Sequence, residues 1–270
     1  MSGSRLFYRV KGEGVPVLHL HGFPLDHRLM EGSMEPVFTG REGWKRVYLD
    51  QPGMGRSTAG EVDDADDMLE VLVEFLDEVA PGQPLLLVGE SYGGYLARGL
   101  MHRLPGRVMG IMLVCPVIIS RAEDREVPPM RIIHRDGDFL SRMDDGDLVN
   151  FRSFAVVHDE RSYRHFKDLV EPGLLGGDKE FQERFGRRRE LSFQVDPLPE
   201  PFQGPCLFLA GRQDWWVGYA DAWGIMDSYP RATMAVLDRA GHGLEGEQPE
   251  LFRTLAAEWL DRVKEYMRET

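Results

Sequence analysis

The chain has 270 residues, of which 42% are hydrophobic and 29% charged, a composition that supports a packed core and excludes wholesale disorder. With 32 basic and 45 acidic side chains the formal net charge is −13, a field that repels a phosphate backbone and excludes nucleic acid as the expected partner. No apolar run reaches the roughly 18–20 residues of a membrane span and the opening segment lacks a signal-peptide core, so a soluble, cytoplasmic protein is expected.

Short apolar runs rich in β-branched residues alternate with longer amphipathic stretches, the pattern of βαβ units and a parallel sheet. Strands are expected over 6–10, 17–20, 46–50, 85–89, 108–115, 206–210 and 234–237. The unbroken apolar runs Leu85-Leu86-Leu87-Val88 and Ile111-Met112-Leu113-Val114 suit parallel strands covered on both faces. A helix is expected over 63–79, with Leu69, Leu72, Val73 and Leu76 at helical spacing and acidic residues at its start, where the helix dipole favours them. Another follows at 95–104, and a closing helix over 251–263 turns Leu251, Phe252, Leu255 and Trp259 inward. The fold class is therefore α/β, a doubly wound, mostly parallel sheet with helices on both faces.

The alternation stops between 117 and 200. That stretch is highly charged yet carries Phe139, Phe151, Phe154, Phe166, Phe181 and Phe185, more aromatics than a linker holds. It reads as a helical insertion, 117–200, between two sheet strands of a core of 1–116 and 201–270. The basic run Arg187–Arg189 reads as a solvated helix face. Cys115 and Cys206 are too few for a disulfide framework. They are expected at opposite ends of their strands, too far apart for a bond, and read as reduced core thiols.

The sharpest chemical signal is Gly89-Glu90-Ser91-Tyr92-Gly93, a G-x-S-x-G between an apolar strand and a helix. A nucleophile on so tight a strand-to-helix turn needs small neighbours. The turn exposes the Ser91 hydroxyl and leaves the Tyr92 backbone N–H at a helix N-terminus, where negative charge is stabilised. A serine needs a base, and the base an orienting carboxylate. Of eight histidines, His242 lies just past the strand 234–237, at the carboxyl edge of the sheet. Asp214 holds the equivalent place past 206–210. Alone, each would be an ordinary loop residue; joint placement after separate strands makes Ser91, Asp214 and His242 the candidate catalytic set. His21-Gly22-Phe23-Pro24, past the strand 17–20, offers the Phe23 N–H as a second oxyanion donor beside that of Tyr92. Trp215 and Trp216, beside Asp214, are assigned to the substrate pocket, and Trp223 to the core.

These motifs together resemble the α/β-hydrolase superfamily over nearly the whole chain, in its serine-nucleophile, lid-bearing, esterase or haloperoxidase-like branch. The resemblance rests on Leu18–Pro24, Leu49–Ser57, Val88–Gly94, Gly211–Asp214 and Ala240–Gly243, in the family's order. It implies that the Asp50–Ser57 turn is structural and that the insertion shapes the pocket. Relatives that open epoxides or displace halides carry aspartate where this chain has Ser91, so those chemistries are disfavoured. Proline iminopeptidases read H-G-G-P-G where this chain has His21-Gly22-Phe23-Pro24-Leu25. Two departures stand out: Glu90 puts a carboxylate before the nucleophile, and a single strand, 6–10, stands where the family has a hairpin.

The expected function is hydrolysis of a small carboxylic ester or related acyl compound through an acyl-enzyme. The alternatives are a carbon–carbon bond hydrolase, a peracid-forming esterase on the same triad, or a non-catalytic ligand receptor. A literal G-x-G-x-x-G at 241–246 is set aside, because a dinucleotide fold needs a further strand after the helix. No His/Cys/Asp cluster has metal-ligand spacing, so no cofactor and no metal are expected. The expected partner is a small acyl substrate; neither substrate identity nor oligomeric state is readable.

Overall fold

The computed structural model describes residues 3–269. Strands β1 (Tyr8–Lys11), β2 (Val15–Leu20), β3 (Trp44–Leu49), β4 (Leu85–Glu90) and β5 (Val108–Val114) form the first part of one sheet. Helices α1 (His27–Phe38), α2 (Ala65–Val79) and α3 (Tyr92–Arg103) lie between them. Chain reversal after β2 lets β3 and β4 flank it, and the full seven-stranded order is β1-β3-β2-β4-β5-β8-β9. Here β8 is Cys206–Gly211 and β9 is Ala232–Leu237. Every pairing is parallel except that of β1 with β3. All seven expected strands are present, each displaced by at most a few residues, and β1 stands alone as an antiparallel edge strand.

The central strands β4 and β8 are buried at every position, as helices on both faces require. The α2 helix starts where the Asp64 side chain accepts from the N–H groups of Asp66 and Asp67, satisfying donors that would otherwise be orphaned. Register places Ile111 beside Cys206, so Cys115 and Cys206 sit at opposite ends of adjacent strands, both buried and unbonded.

Between β5 and β8 the chain makes short helices: α4 (Gly137–Leu140), α5 (Asp145–Phe154), α6 (Glu160–His165), α7 (Glu171–Leu175) and α8 (Lys179–Phe185). A parallel pair of two-residue strands, β6 (His134–Arg135) and β7 (Val157–His158), lies among them. It is too short to leave an alternating pattern, which is why the sequence shows only helix there. The six phenylalanines singled out in the insertion are all buried, and a seventh, Phe193, is half-buried. Leu148, Phe151, Phe154, Phe166 and Val170 share an apolar cluster with Leu25 and Leu29 of the core, whereas Phe181 and Phe185 join the main core. Both ends of the insertion are tied to α3 by the fully buried Arg98, which donates to Val117 O and pairs with Asp196.

Beyond β8 follow α9 (Ala220–Gly224), α10 (Leu244–Glu247) and the long α11 (Pro249–Glu269). The α11 stripe is Phe252, Ala256, Trp259, Leu260 and Val263, while Leu251, expected inward, is 42% exposed. The helix starts two residues earlier than expected, and its phase puts 252 and not 251 on the stripe with 256, 259 and 263. Trp223 also corrects the expectation: it is 69% exposed, on a helix too short to cover it. Among the described residues no helix is long and apolar enough to cross a membrane.

Candidate active site

β4 delivers Ser91 at its carboxyl end with φ 51° and ψ −118°, a conformation that L-residues avoid and that a tight turn imposes. A Cβ on Gly89 would come 2.5 Å from Gly93 O, and one on Gly93 would run into Leu20 O, so glycine is required at both places. The Ser91 N–H donates to Val114 O at 2.9 Å, and its carbonyl accepts from Gly94 and Val117, each at 3.0 Å. The turn is thus stapled to β5 and to the start of the insertion.

The loops after β8 and β9 bring the other two residues to the same edge. His242 Nδ1 lies 2.8 Å from Asp214 Oδ2, and its Nε2 lies 3.0 Å from Ser91 Oγ. The carboxylate can only accept, so Nδ1 carries the proton and Nε2 is left to accept from the serine hydroxyl. Asp214 is fixed by its other oxygen, which accepts from the N–H groups of Trp216 at 2.9 Å and Val217 at 3.1 Å. The His242 loop is held from below by Glu247 of α10. One of its oxygens accepts from Gly241 N–H at 2.6 Å and the other from Val156 at 2.6 Å and Val157 at 3.1 Å. That single buried carboxylate joins the histidine loop to the insertion.

The turn after β2 abuts Ser91: a Cβ on Gly22 would lie 2.9 Å from the Ser91 Cβ and would collide with the Glu90 carboxylate. His21 shapes this turn from inside. Its Nε2 accepts from Gln51 N–H at 3.1 Å, and its Nδ1 lies 2.9 Å from Gly22 O. Burial holds the ring below the usual histidine range, so it stays neutral and can play both roles. Among the described residues neither the Phe23 nor the Tyr92 backbone N–H has an acceptor; Tyr92 is the first residue of α3 and has no intrahelical one. Asp50, in the following turn, is consumed structurally: it accepts from the N–H groups of His27 and Arg56.

The electrostatics are set by acids around the imidazole. Glu90 Oε1 lies 3.4 Å from His242 Nε2, the same nitrogen that faces Ser91. Burial pushes the Glu90 carboxyl up, with Glu245 and Asp214 adding to the rise against the pull of His242. For His242, burial works against the charged ring. Asp214, Glu90 and Glu245 outweigh it and lift the imidazole above its usual value.

The insertion and the β8 loop supply the walls. The Trp216 ring stacks on the His242 ring, 5.5 Å between centroids and 19° between planes. Phe154 of α5 meets both edge-on, at 6.3 and 6.4 Å. Trp215 is half-buried and makes no comparable stack with His242 among the described residues. The Arg187–Arg189 run is not a helix face: it follows α8, and Arg189 turns inward over the Phe23 ring at 4.7 Å. Phe154 and Arg189 carry no sequence signal of their own, since their places depend on how the insertion folds, and Glu245 and Glu247 lie on the four-residue α10, too short to show a face. Glu90 is visible in the sequence from its position beside Ser91.

A parallel sheet whose loops gather a serine, a histidine and an aspartate at one edge is the architecture of a hydrolase. The chain matches the alpha/beta hydrolase family over residues 17–255, and it belongs to that family of enzymes. It is 28% identical to the pimeloyl-[acyl-carrier protein] methyl ester esterase of Aeromonas hydrophila subsp. hydrophila, across 89% of this chain and 93% of that one. It is 27% identical to the dihydrolipoyllysine-residue acetyltransferase component of the acetoin cleaving system of Cupriavidus necator, where 94% of this chain spans 66% of the relative. Among solved structures, an alpha/beta superfamily hydrolase from Oenococcus oeni PSU-1 superposes with a TM-score of 0.89 at 27% identity, covering 97% of each chain.

Proposed function

We propose that the protein hydrolyses a small carboxylic ester, or a related acyl compound, through an acyl-enzyme on Ser91. The observation that carries this reading is the continuous relay from Ser91 Oγ to His242 Nε2 at 3.0 Å and from His242 Nδ1 to Asp214 at 2.8 Å. Ser91 Oγ attacks the acyl carbon as its proton passes to Nε2, and the Phe23 and Tyr92 N–H groups receive the charge growing on the carbonyl oxygen. The ester C–O bond breaks and the alcohol leaves with that proton. Water then attacks the acyl carbon, gives a proton to the same nitrogen, and releases the acid while Ser91 recovers its hydrogen. Asp214 holds the ring in the tautomer this cycle needs.

An ester is favoured over other acyl compounds because a methyl ester esterase is among the relatives. Residues 117–200 act as a lid over a core of 1–116 and 201–270; Phe154 beside His242 supports this. The substrate meets Trp216 first, as that ring is both exposed and stacked on the base. A fluorophosphonate probe tests the reading directly. Rapid labelling that is lost in both Ser91→Ala and His242→Ala, together with turnover of simple esters, is expected. Labelling without turnover of any ester, lactone, thioester or diketone would replace it with a ligand receptor on the same fold.

A further inference from the structure

Arg184, Arg187 and Arg188 each pair with a carboxylate on the surface, from Asp63 or Glu183. Arg189 does not. Its side chain is half-buried, its Nε donates to Gly186 O at 3.1 Å, and among the described residues no carboxylate lies within ion-pair distance. Its guanidinium instead sits 4.7 Å over the Phe23 ring and 5.8 Å from the Tyr92 ring. Those two residues flank Ser91 and carry the free backbone N–H groups. Aromatic faces recover part of the desolvation cost of a cation, but less than an anion would. Beside it the Tyr92 hydroxyl is buried with no hydrogen-bond partner among the described residues.

In a chain of net charge −13, an inward cation left without an acid is a vacancy for one. We propose that Arg189 binds a carboxylate carried by the substrate, so that the enzyme prefers esters bearing a carboxylate over neutral esters of equal length. A singly charged group fits better than a phosphate. A second cation close enough to interact with it, Arg125, is already engaged by the carbonyls of Ile119, Ser120 and Trp216, and Glu90 and Glu245 act on His242. The planar fork of Arg189 matches a carboxylate bidentately. The proposal rests on the esterase reading for its substrate, and its test separates the two.

Binding to the Ser91→Ala protein is measured by calorimetry for two pairs: monomethyl adipate against methyl hexanoate, and γ-acetoxybutyrate against butyl acetate. The first pair carries the charge on the acyl side and the second on the alcohol side. At least one anionic member is expected to bind roughly 10- to 100-fold tighter than its neutral twin. Arg189→Gln should abolish that ratio, and Arg189→Lys should keep part of it. In the protein with Arg189 intact, about 1 M salt should compress it through screening, which needs no Arg189 variant to fold. Equal binding in both pairs, or a preference that survives Arg189→Gln, overturns the proposal. Wild-type turnover of the same esters is read separately, and its absence overturns the esterase reading without touching the binding result.

Discussion

The most informative single substitution is Glu90→Gln, because Glu90 faces the His242 nitrogen that takes the serine proton in the proposed cycle. Only the neutral imidazole can act as base, so activity rises with pH as His242 loses its proton. His242 is raised by Asp214, Glu90 and Glu245 against burial, and Glu90 is itself raised. The two titrate together, with apparent values that belong to the pair. Ionised Glu90 favours the imidazolium, which cannot take the serine proton; a proton resting on Glu90 leaves the base free. Replacing the carboxyl by an amide removes the anionic state and must lower the His242 pKa.

At the observed 3.4 Å separation, Coulomb's law gives about 5 kcal/mol at an effective dielectric of about 20 and about 1 kcal/mol in water. At about 1.4 kcal/mol per pKa unit these bracket a shift of roughly 1 to 3.5 units. Asp214 and Glu245 remain in the variant, so His242 stays above an ordinary histidine. The assay is kcat/KM against pH on a neutral ester, with thermal unfolding as a control for folding. The acidic limb should move to lower pH by at least about one unit, with little change on the alkaline plateau. Glu245→Gln should move it the same way. An acidic limb that stays in place in a folded Glu90→Gln protein, or moves upward, refutes the electrostatic account.

Other substitutions separate chemistry from scaffolding. Ser91→Ala should lower turnover by about 10⁶-fold and Asp214→Asn by about 10⁴-fold, measured against wild type on one ester, by analogy with other triads. Glu247→Ala strips the acceptor from three backbone N–H groups at once. At roughly 1–3 kcal/mol per orphaned buried donor it should cost about 3–9 kcal/mol in denaturant melts, and it should lower kcat as the His242 loop loosens. Asp196→Ala leaves the buried Arg98 without its anion. The expected loss is about 3–5 kcal/mol, read as a fall in Tm without a change in the pH profile.

The sheet was readable because burial on both faces forces continuous apolar runs, as in Leu85–Val88. The Ser91 turn was readable because sterics permit only glycine at 89 and 93. Asp214 and His242 could be found because parallel strands send their carboxyl-terminal loops to one edge, so position after a strand already implies proximity. Nothing comparable constrains the insertion. Its helices are short, with α4 and α7 only 4 and 5 residues long, and a helix of that length has no periodicity to read. Three consecutive arginines therefore looked alike, although two meet surface acids and the third turns inward. The same limit hid Phe154 and Glu247, whose roles exist only once the insertion is docked.

Together with Glu90, the hidden Glu245 and Arg189 give the site its polarity. Behind His242 lie Glu90 and Glu245, groups that favour the imidazolium; in front, over the Phe23 and Tyr92 rings, lies the unpaired Arg189. In the proposed cycle the acids stabilise the positive ring that forms when Ser91 gives up its proton. The same field also raises the pH at which the neutral imidazole becomes available as a base. An anionic group bound at Arg189 would add to that field, raising the His242 pKa further in the complex than in the free enzyme. Charge recognition and proton transfer are thereby coupled. With a carboxylate-bearing ester the acidic limb of kcat, which reports the complex, should lie at higher pH than that of kcat/KM, which reports the free enzyme. With a neutral ester of the same length, or in Arg189→Gln, the gap between the two limbs should shrink. Identical gaps for charged and neutral esters would mean that the front and back of the site act independently.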